Sequence, residues 1–234
     1  MTTKQPTPTT PRTLIIGDIH GCLDALTSME NFVGFNESDT IITLGDYIDR
    51  GPDSKGVIDW LLNRREKYNL ITLAGNHELM MENARDNAQD HFFWSLNGGE
   101  NTLNSFDCSI EDIPSKYWDF IKSCKLFHET ESHIFVHAGL DPILPAEAQH
   151  PDTLCWIRFR NLKQHTSNKI IFCGHTPQRS YIPGILPYAV CIDTHVFHPD
   201  GYLTCLDVTT GDYWQSNSEG VTRKNKLELP NFKP

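Results

Sequence analysis

The sequence predicts an α/β fold in which two packed β-sheets carry helices on their outer faces. Two observations support this. From Thr13 to Leu73 short β-rich runs alternate with amphipathic helical stretches, the strand-helix-strand-helix-strand order of a mainly parallel sheet. The second half then turns into a series of short apolar runs punctuated by Gly and Asp, which reads as a second sheet laid on the first.

The elements follow in order. Thr13 to Ile16 is a strand that runs into Gly17-Asp18-Ile19-His20-Gly21. Leu23, Leu26, Met29 and Val33 recur at helical spacing, and Gly34 is placed to end that helix. Thr40 to Leu44 is the next strand, running into Gly45-Asp46-Tyr47-Ile48-Asp49-Arg50-Gly51. Val57, Ile58, Leu61 and Leu62 mark a second helix, and Asn69 to Leu73 a third strand that ends at Gly75-Asn76-His77-Glu78. From Glu78 to Lys125 the chain reads as helical or irregular, with the aromatic stretch His91-Phe92-Phe93-Trp94, and forms a cap beside the strand ends. Strands are expected again at Ile134 to Val136, Lys169 to Cys173, Ala189 to Ile192, Tyr202 to Leu206 and Tyr213 to Gln215. Asp200-Gly201 and Thr210-Gly211-Asp212 look like hairpin turns between the last three. No repeat or linker divides the chain, so residues 13–234 read as one domain behind a Thr- and Pro-rich tail, residues 1–12, expected to be disordered.

Bulk composition narrows the function. The chain has 234 residues and a formal net charge of -10, which argues against a nucleic-acid partner. It does not bar an anionic substrate, because bound metal ions reverse the local field. No run is long enough to span a bilayer and the tail lacks a signal peptide's apolar core, so no membrane partner is expected and the cytoplasm is the default location. Seven cysteines without a CxxC pair read as free thiols, most of them buried.

The chemistry lies at the strand ends. Asp18 and His20 are two residues apart just past a strand, so both side chains can face one way. Asp46 comes from the neighbouring strand end and is placed to bridge two metals; Asn76, His137 and His175 would complete the second ion's shell. Any one of these segments alone also suits a turn or a packed histidine. Five of them in order, each after an apolar run, point to two divalent ions, a standard means of hydrolysing a phosphate ester.

These segments resemble the phosphoprotein phosphatase family of calcineurin-like metallophosphoesterases, in the short form found in bacteria and phages. The matching stretches are GDIHG, GDYIDRG, GNHE, HAG and GHT, with WSLNGGENTL (Trp94 to Leu103), WIR (Trp156 to Arg158) and CIDT (Cys191 to Thr194) beside them. The resemblance implies a four-layer sandwich. It implies one metal held by Asp18, His20 and Asp46, and a second by Asp46, Asn76, His137 and His175. His77 would be the general acid, oriented by Asp49, with Arg50 and Arg158 binding phosphate. The implied reaction is direct attack by metal-bound hydroxide without a phospho-enzyme. Mn²⁺ is the expected metal, with Fe or Zn as alternatives.

Serine/threonine protein phosphatase is the leading expectation, with a phosphorylated protein or a small phosphoester as substrate. The alternative is a bis(5'-nucleosyl)-tetraphosphatase, and a minor one is a binding module that has lost catalysis. Several residues fall outside the pattern. His195 follows the CIDT segment and is expected at the surface or packed in its loop; Arg160 either points the same way as Arg158 or is solvated; Cys22 is expected to pack, and Glu78 to serve as a helix N-terminal residue.

Overall fold

The computed structural model describes residues 10–231. Most of the expected tail, residues 1–9, lies outside them. Arg12 is tied to the body: its guanidinium holds the buried Asp39 carboxylate and donates to the carbonyls of Val33 and Gly34.

The first strand shows how the layers arise. In β1 (Thr13–Ile16) Leu14 and Ile16 pack among helices while Ile15 packs between sheets, so the two-residue alternation buries both faces. β2 (Thr40–Thr43) and β3 (Asn69–Thr72) pair beside it in parallel. Between them α1 (Leu23–Val33) turns Ala25, Leu26, Met29 and Val33 inward, and the N–H of Gly34 closes it on Glu30 O. α2 (Ser54–Arg64) starts at Asp53, whose carboxylate accepts from Gly56 N at 2.7 Å, and buries Val57, Ile58, Trp60 and Leu61.

The middle of the chain is helical, as expected. α3 (Asn76–Ala84) and α4 (Ala88–Trp94) lead into a π-helical turn (Ser95–Gly99), then α5 (Glu100–Phe106) and α6 (Ser115–Ser123). The second half supplies β4 (Phe127–Glu129), β5 (His133–Val136), α7 (Pro151–Trp156), β6 (Ile170–Cys173), β7 (Gly184–Leu186) and β8 (Ala189–Cys191). It ends with β9 (Leu203–Asp207), β10 (Asp212–Ser216) and β11 (Thr222–Lys226).

One sheet has the order β11-β10-β9-β1-β2-β3 and the other β4-β5-β6-β8-β7. In the second, Ile170 and Phe172 face the first sheet while Ile171 and Cys173 face outward, repeating the β1 alternation. The result is helices, sheet, sheet, helices: the expected four layers. Two details differ from the sequence expectation. The turn at 207–211 is a hairpin between β9 and β10, but no hairpin forms at Asp200-Gly201. There the chain crosses from β8 in one sheet to β9 in the other, a switch that turn residues alone do not reveal. Three edge strands, β4, β7 and β11, were not foreseen. Among the described residues no helix is long and apolar enough to cross a membrane. All seven cysteines are free, and five are buried.

Candidate metal centre

The parallel strands of both sheets end at one place. β1 delivers Asp18 and His20, β2 delivers Asp46, and β3 leads into Asn76 at the start of α3. From the second sheet β5 delivers His137, β6 His175 and β8 Asp193. All of these side chains are buried. The backbone is held in the left-handed region at His20, Asp46, Asp49, Arg50 and His175, a conformation that costs these residues about 1–3 kcal/mol each and concentrates at functional sites.

The contacts fix the imidazoles. His137 Nδ1 donates to Leu44 O at 2.8 Å and His20 Nδ1 donates to Ile48 O at 2.9 Å. Each ring therefore turns a bare Nε2 inward. Burial pushes His137 down to about 4, so that nitrogen carries no proton near neutrality. Yet His137 Nε2 lies 3.0 Å from Asn76 Oδ1 and 3.4 Å from Asp46 Oδ1, which are acceptors as well. His175 Nδ1 meets the same Asn76 Oδ1 at 2.8 Å, and its Nε2 is buried without a partner. Lone pairs facing one another repel unless a cation lies between them. Two donors bound at ~2.1 Å and at 90–110° stand roughly 3.0–3.4 Å apart, the spacing found here.

Two groups of possible metal ligands converge within 4.8 Å, His20 with Asp46 and His77, and Asp46 with His137 and His175. Asp46 is common to both groups. Burial raises the Asp18 and Asp46 carboxyls well above the ordinary range, with repulsion chiefly from Asp193 at Asp18 and from Glu78 at Asp46 adding to it. Burial likewise raises Asp193 to about 6. A nest of buried carboxylates and neutral imidazoles fits hard or borderline divalent ions. Asp18 is brought in less directly: it joins neither group at that range, and both its oxygens accept from His175 N, at 3.1 and 3.0 Å.

The remaining expected residues line the same site. His77 Nδ1 is 2.6 Å from Asp49 Oδ2, and its Nε2 is buried and unpartnered. Arg50 places its guanidinium 3.4 Å from His20 Nε2 and over the ring of Phe197. Arg158, more exposed, donates to His175 O at 3.1 Å. Arg160 is exposed. His195 packs edge-on against Phe197, ring centroids 4.6 Å apart, in line with the loop role expected of it. Burial pushes the Cys22 thiol up to about 11, which suits packing. His165 is buried and held by Ser167 and Leu144.

Sequence reasoning missed how much Glu78 does. Its fully buried carboxylate accepts the backbone N–H groups of Asp46 at 2.9 Å, Tyr47 at 2.8 Å and Gly75 at 2.8 Å, tying two ligand-bearing loops together. The only hint was a glutamate three residues into a helix, the spacing of a capping side chain. Asp193, Trp94 and Thr102 were also missed as site residues, though each sat in a segment the resemblance included. Gly75 is needed for close approach: a Cβ there would lie 2.1 Å from Asp46 Oδ1.

The profile of calcineurin-like phosphoesterases matches residues 11–203, most of the chain and all of these strand ends. The chain belongs to the calcineurin-like phosphoesterase family. Within that family it is 29% identical over 133 residues to a symmetrical bis(5'-nucleosyl)-tetraphosphatase of Neisseria gonorrhoeae, covering 54% of this chain and 43% of the relative. It is 39% identical over 87 residues to serine/threonine-protein phosphatase 1 of Salmonella typhimurium, 37% of this chain and 38% of the relative. The matched stretch is thus less than half the length of either curated relative. Among solved structures, a provisionally assigned diadenosine tetraphosphatase superposes with a TM-score of 0.65 at 20% identity, over 93% of this chain and 94% of that one. A protein serine/threonine phosphatase from Saccharomyces cerevisiae superposes with a TM-score of 0.62 at 16% identity, over 85% of this chain and 73% of that one. At these identities the two structures establish the calcineurin-like fold alone.

Proposed function

We propose that this protein is a metal-dependent phosphoester hydrolase. The observation that carries the reading is the contact of His137 Nε2 with Asn76 Oδ1 and Asp46 Oδ1, where three lone pairs meet. Asp18, His20 and Asp46 would hold one divalent ion and Asp46, Asn76, His137 and His175 another, Mn²⁺ ahead of Fe or Zn. Such a pair, when bound, supplies Lewis acidity and a nucleophile at neutral pH.

The protein's own groups supply the rest. Arg50 and Arg158 present planar guanidinium groups at the rim, suited to gripping two phosphoryl oxygens at once. His77 directs Nε2 into the site, where it gives a proton to the departing oxygen. Asp49 holds Nδ1 and so fixes the ring.

As substrate we favour bis(5'-nucleosyl) polyphosphates. The alignment with the Neisseria enzyme extends over 133 residues, against 87 for the Salmonella phosphatase. Trp156, partly exposed and 6.0 Å from the His175 ring, offers an aromatic face for a nucleobase beside the site. Phosphoserine and phosphothreonine form the second reading, favoured by the buried Asp49–His77 pair. A serine alkoxide must be protonated as it leaves, whereas a nucleoside diphosphate leaves as a stable anion.

The test compares kcat/KM for diadenosine tetraphosphate and a phosphoserine peptide with Mn²⁺, Fe²⁺ or Zn²⁺ added. Preference for the dinucleotide is expected. Preference for the peptide selects the second reading, and failure to cleave either with any of these ions refutes the assignment as a hydrolase.

A further inference from the structure

The segment from α4 to α5 reaches into the site at Asp49 and Arg50. Asp49 Oδ2 accepts from His77 Nδ1 at 2.6 Å and also from Trp94 Nε1 at 2.8 Å. Its other oxygen, Oδ1, accepts from Thr102 Oγ1 at 2.6 Å. The same threonine hydroxyl takes the N–H of Asp49 itself at 2.9 Å and meets Ser54 Oγ at 2.9 Å. Trp94 and Thr102 are fully buried, and they reach Asp49 from the end of α4 and the start of α5.

The chemistry of these donors leaves little freedom. An indole N–H can only donate, and a hydroxyl has one proton to give. With the backbone N–H of Asp49 on one lone pair of Thr102, that proton goes to Oδ1. The Asp49 carboxylate then receives three donors, and His77 must use Nδ1–H as one of them. Nε2 is left facing the site. The backbone at Asp49 and Arg50 is left-handed, with φ of 71° and 67°, and such residues persist only when their surroundings pin them. The same segment does so a second time: Gly98 O accepts Arg50 N at 3.3 Å, and the Asn101 side-chain amide donates to Arg50 O. Gly98 has φ of +106°, and a Cβ there would sit 2.8 Å from Arg50 N.

We propose that Trp94 and Thr102 are positioning residues for proton delivery, locking the Asp49 carboxylate so that His77 presents Nε2–H to the leaving oxygen. This rests on the reading of His77 as proton donor. In that step the His77 imidazolium, its Nδ1–H held by Asp49, passes its Nε2 proton to the leaving oxygen as the bond to phosphorus breaks and is left as the neutral ring; water supplies the new P–O bond and returns a proton to Nε2.

The test is a leaving-group comparison on the Mn²⁺-loaded enzyme. 4-Nitrophenyl phosphate releases a stabilised phenolate that needs no proton, whereas an alkyl phosphomonoester releases an alkoxide that does. Trp94→Phe and the isosteric Thr102→Val are expected to lower kcat on the alkyl ester by roughly tenfold or more, with KM unchanged and only about a threefold loss on the nitrophenyl ester. Thr102→Ser, which keeps the hydroxyl, restores the alkyl rate. Metal content and unfolding midpoint are measured alongside, and the two Thr102 variants carry the test if Trp94→Phe does not fold. Equal losses on both esters, or an unchanged ratio in Thr102→Val, overturn the inference. If His77→Asn itself shows no leaving-group dependence, the failure lies in the reading of His77 and the inference falls with it. A readout independent of turnover is ¹⁵N-histidine NMR of the protein loaded with a diamagnetic ion. The strongly hydrogen-bonded His77 Nδ1–H signal should move upfield in Thr102→Val and recover in Thr102→Ser; no movement overturns the proposal.

Discussion

Glu78→Gln is the most exacting perturbation, because it changes one atom type inside a three-bond cluster. Glu78 Oε2 accepts from Asp46 N and Gly75 N, and Oε1 from Tyr47 N. Glutamine has one carbonyl oxygen. Placed at the Oε2 position it keeps two of the three bonds and turns an NH₂ group toward the N–H of Tyr47. One hydrogen bond to a charged acceptor is lost and a buried donor is left unpaired, which costs about 1.5–3 kcal/mol. For a domain of this size that lowers Tm by roughly 3–12 °C. Asp46 is carried by the loop Glu78 holds and belongs to both ligand groups, so Mn²⁺ affinity should fall about 10–100-fold. Thermal unfolding and calorimetric titration with Mn²⁺ measure the two effects. A lower Tm with unchanged Mn²⁺ affinity would refute the claim that Glu78 positions the ligands. An unchanged Tm would refute the hydrogen-bond cluster itself.

Three further outcomes are expected. Gly75→Ala places a methyl group 2.1 Å from Asp46 Oδ1 and 2.8 Å from His137 Cε1, so it should weaken Mn²⁺ binding by about tenfold or more, read by the same titration. Metal addition should stabilise the fold: Mn²⁺ at about a hundred times its Kd contributes about 2.7 kcal/mol, raising the unfolding midpoint by roughly 5–11 °C, and a chelator should reverse the gain. At Glu30 burial raises the carboxyl, but the Arg64, Trp60 and Tyr68 donors outweigh it and hold it below its ordinary value of 4.5. A depressed carboxylate stabilises fully above 4.5 and loses that contribution as pH falls through its lowered folded value. Denaturant midpoints of Glu30→Gln and the parent should therefore differ at neutral pH and converge in acid; parallel curves would refute the account.

The legible parts of the fold were those written locally. Strand, helix and the turn-forming glycines of the first three motifs follow from short-range spacing, and so does the placement of Asp18, Asp46 and Asn76 at neighbouring strand ends. The edge strands were not legible for a physical reason. β11 reads Thr-Arg-Lys-Asn-Lys and has no apolar face, so only its pairing with β10 makes it a strand. Asp200-Gly201 has hairpin chemistry, yet its flanks belong to different sheets, which only tertiary packing decides. In the site, single side chains at strand ends were readable. What they touch was not: Asp49 is joined to Trp94 and Thr102 across 45 and 53 positions of sequence, and no periodicity encodes that.

The position of β9 bears on how the molecule comes into being. β1 lies between β2 and β9, and the N–H of Gly17, the residue before Asp18, is bonded to Thr204 O at 3.1 Å. The strand that leads to Asp18 and His20 gains its second neighbour only from β9, which is made after β1, β2 and β3. Until β9 pairs with it that strand has one open edge, and closing so long a loop is slow. The expected ligands are spread from Asp18 to His175, so the full set comes together only when the loops after both parallel strand groups have been made.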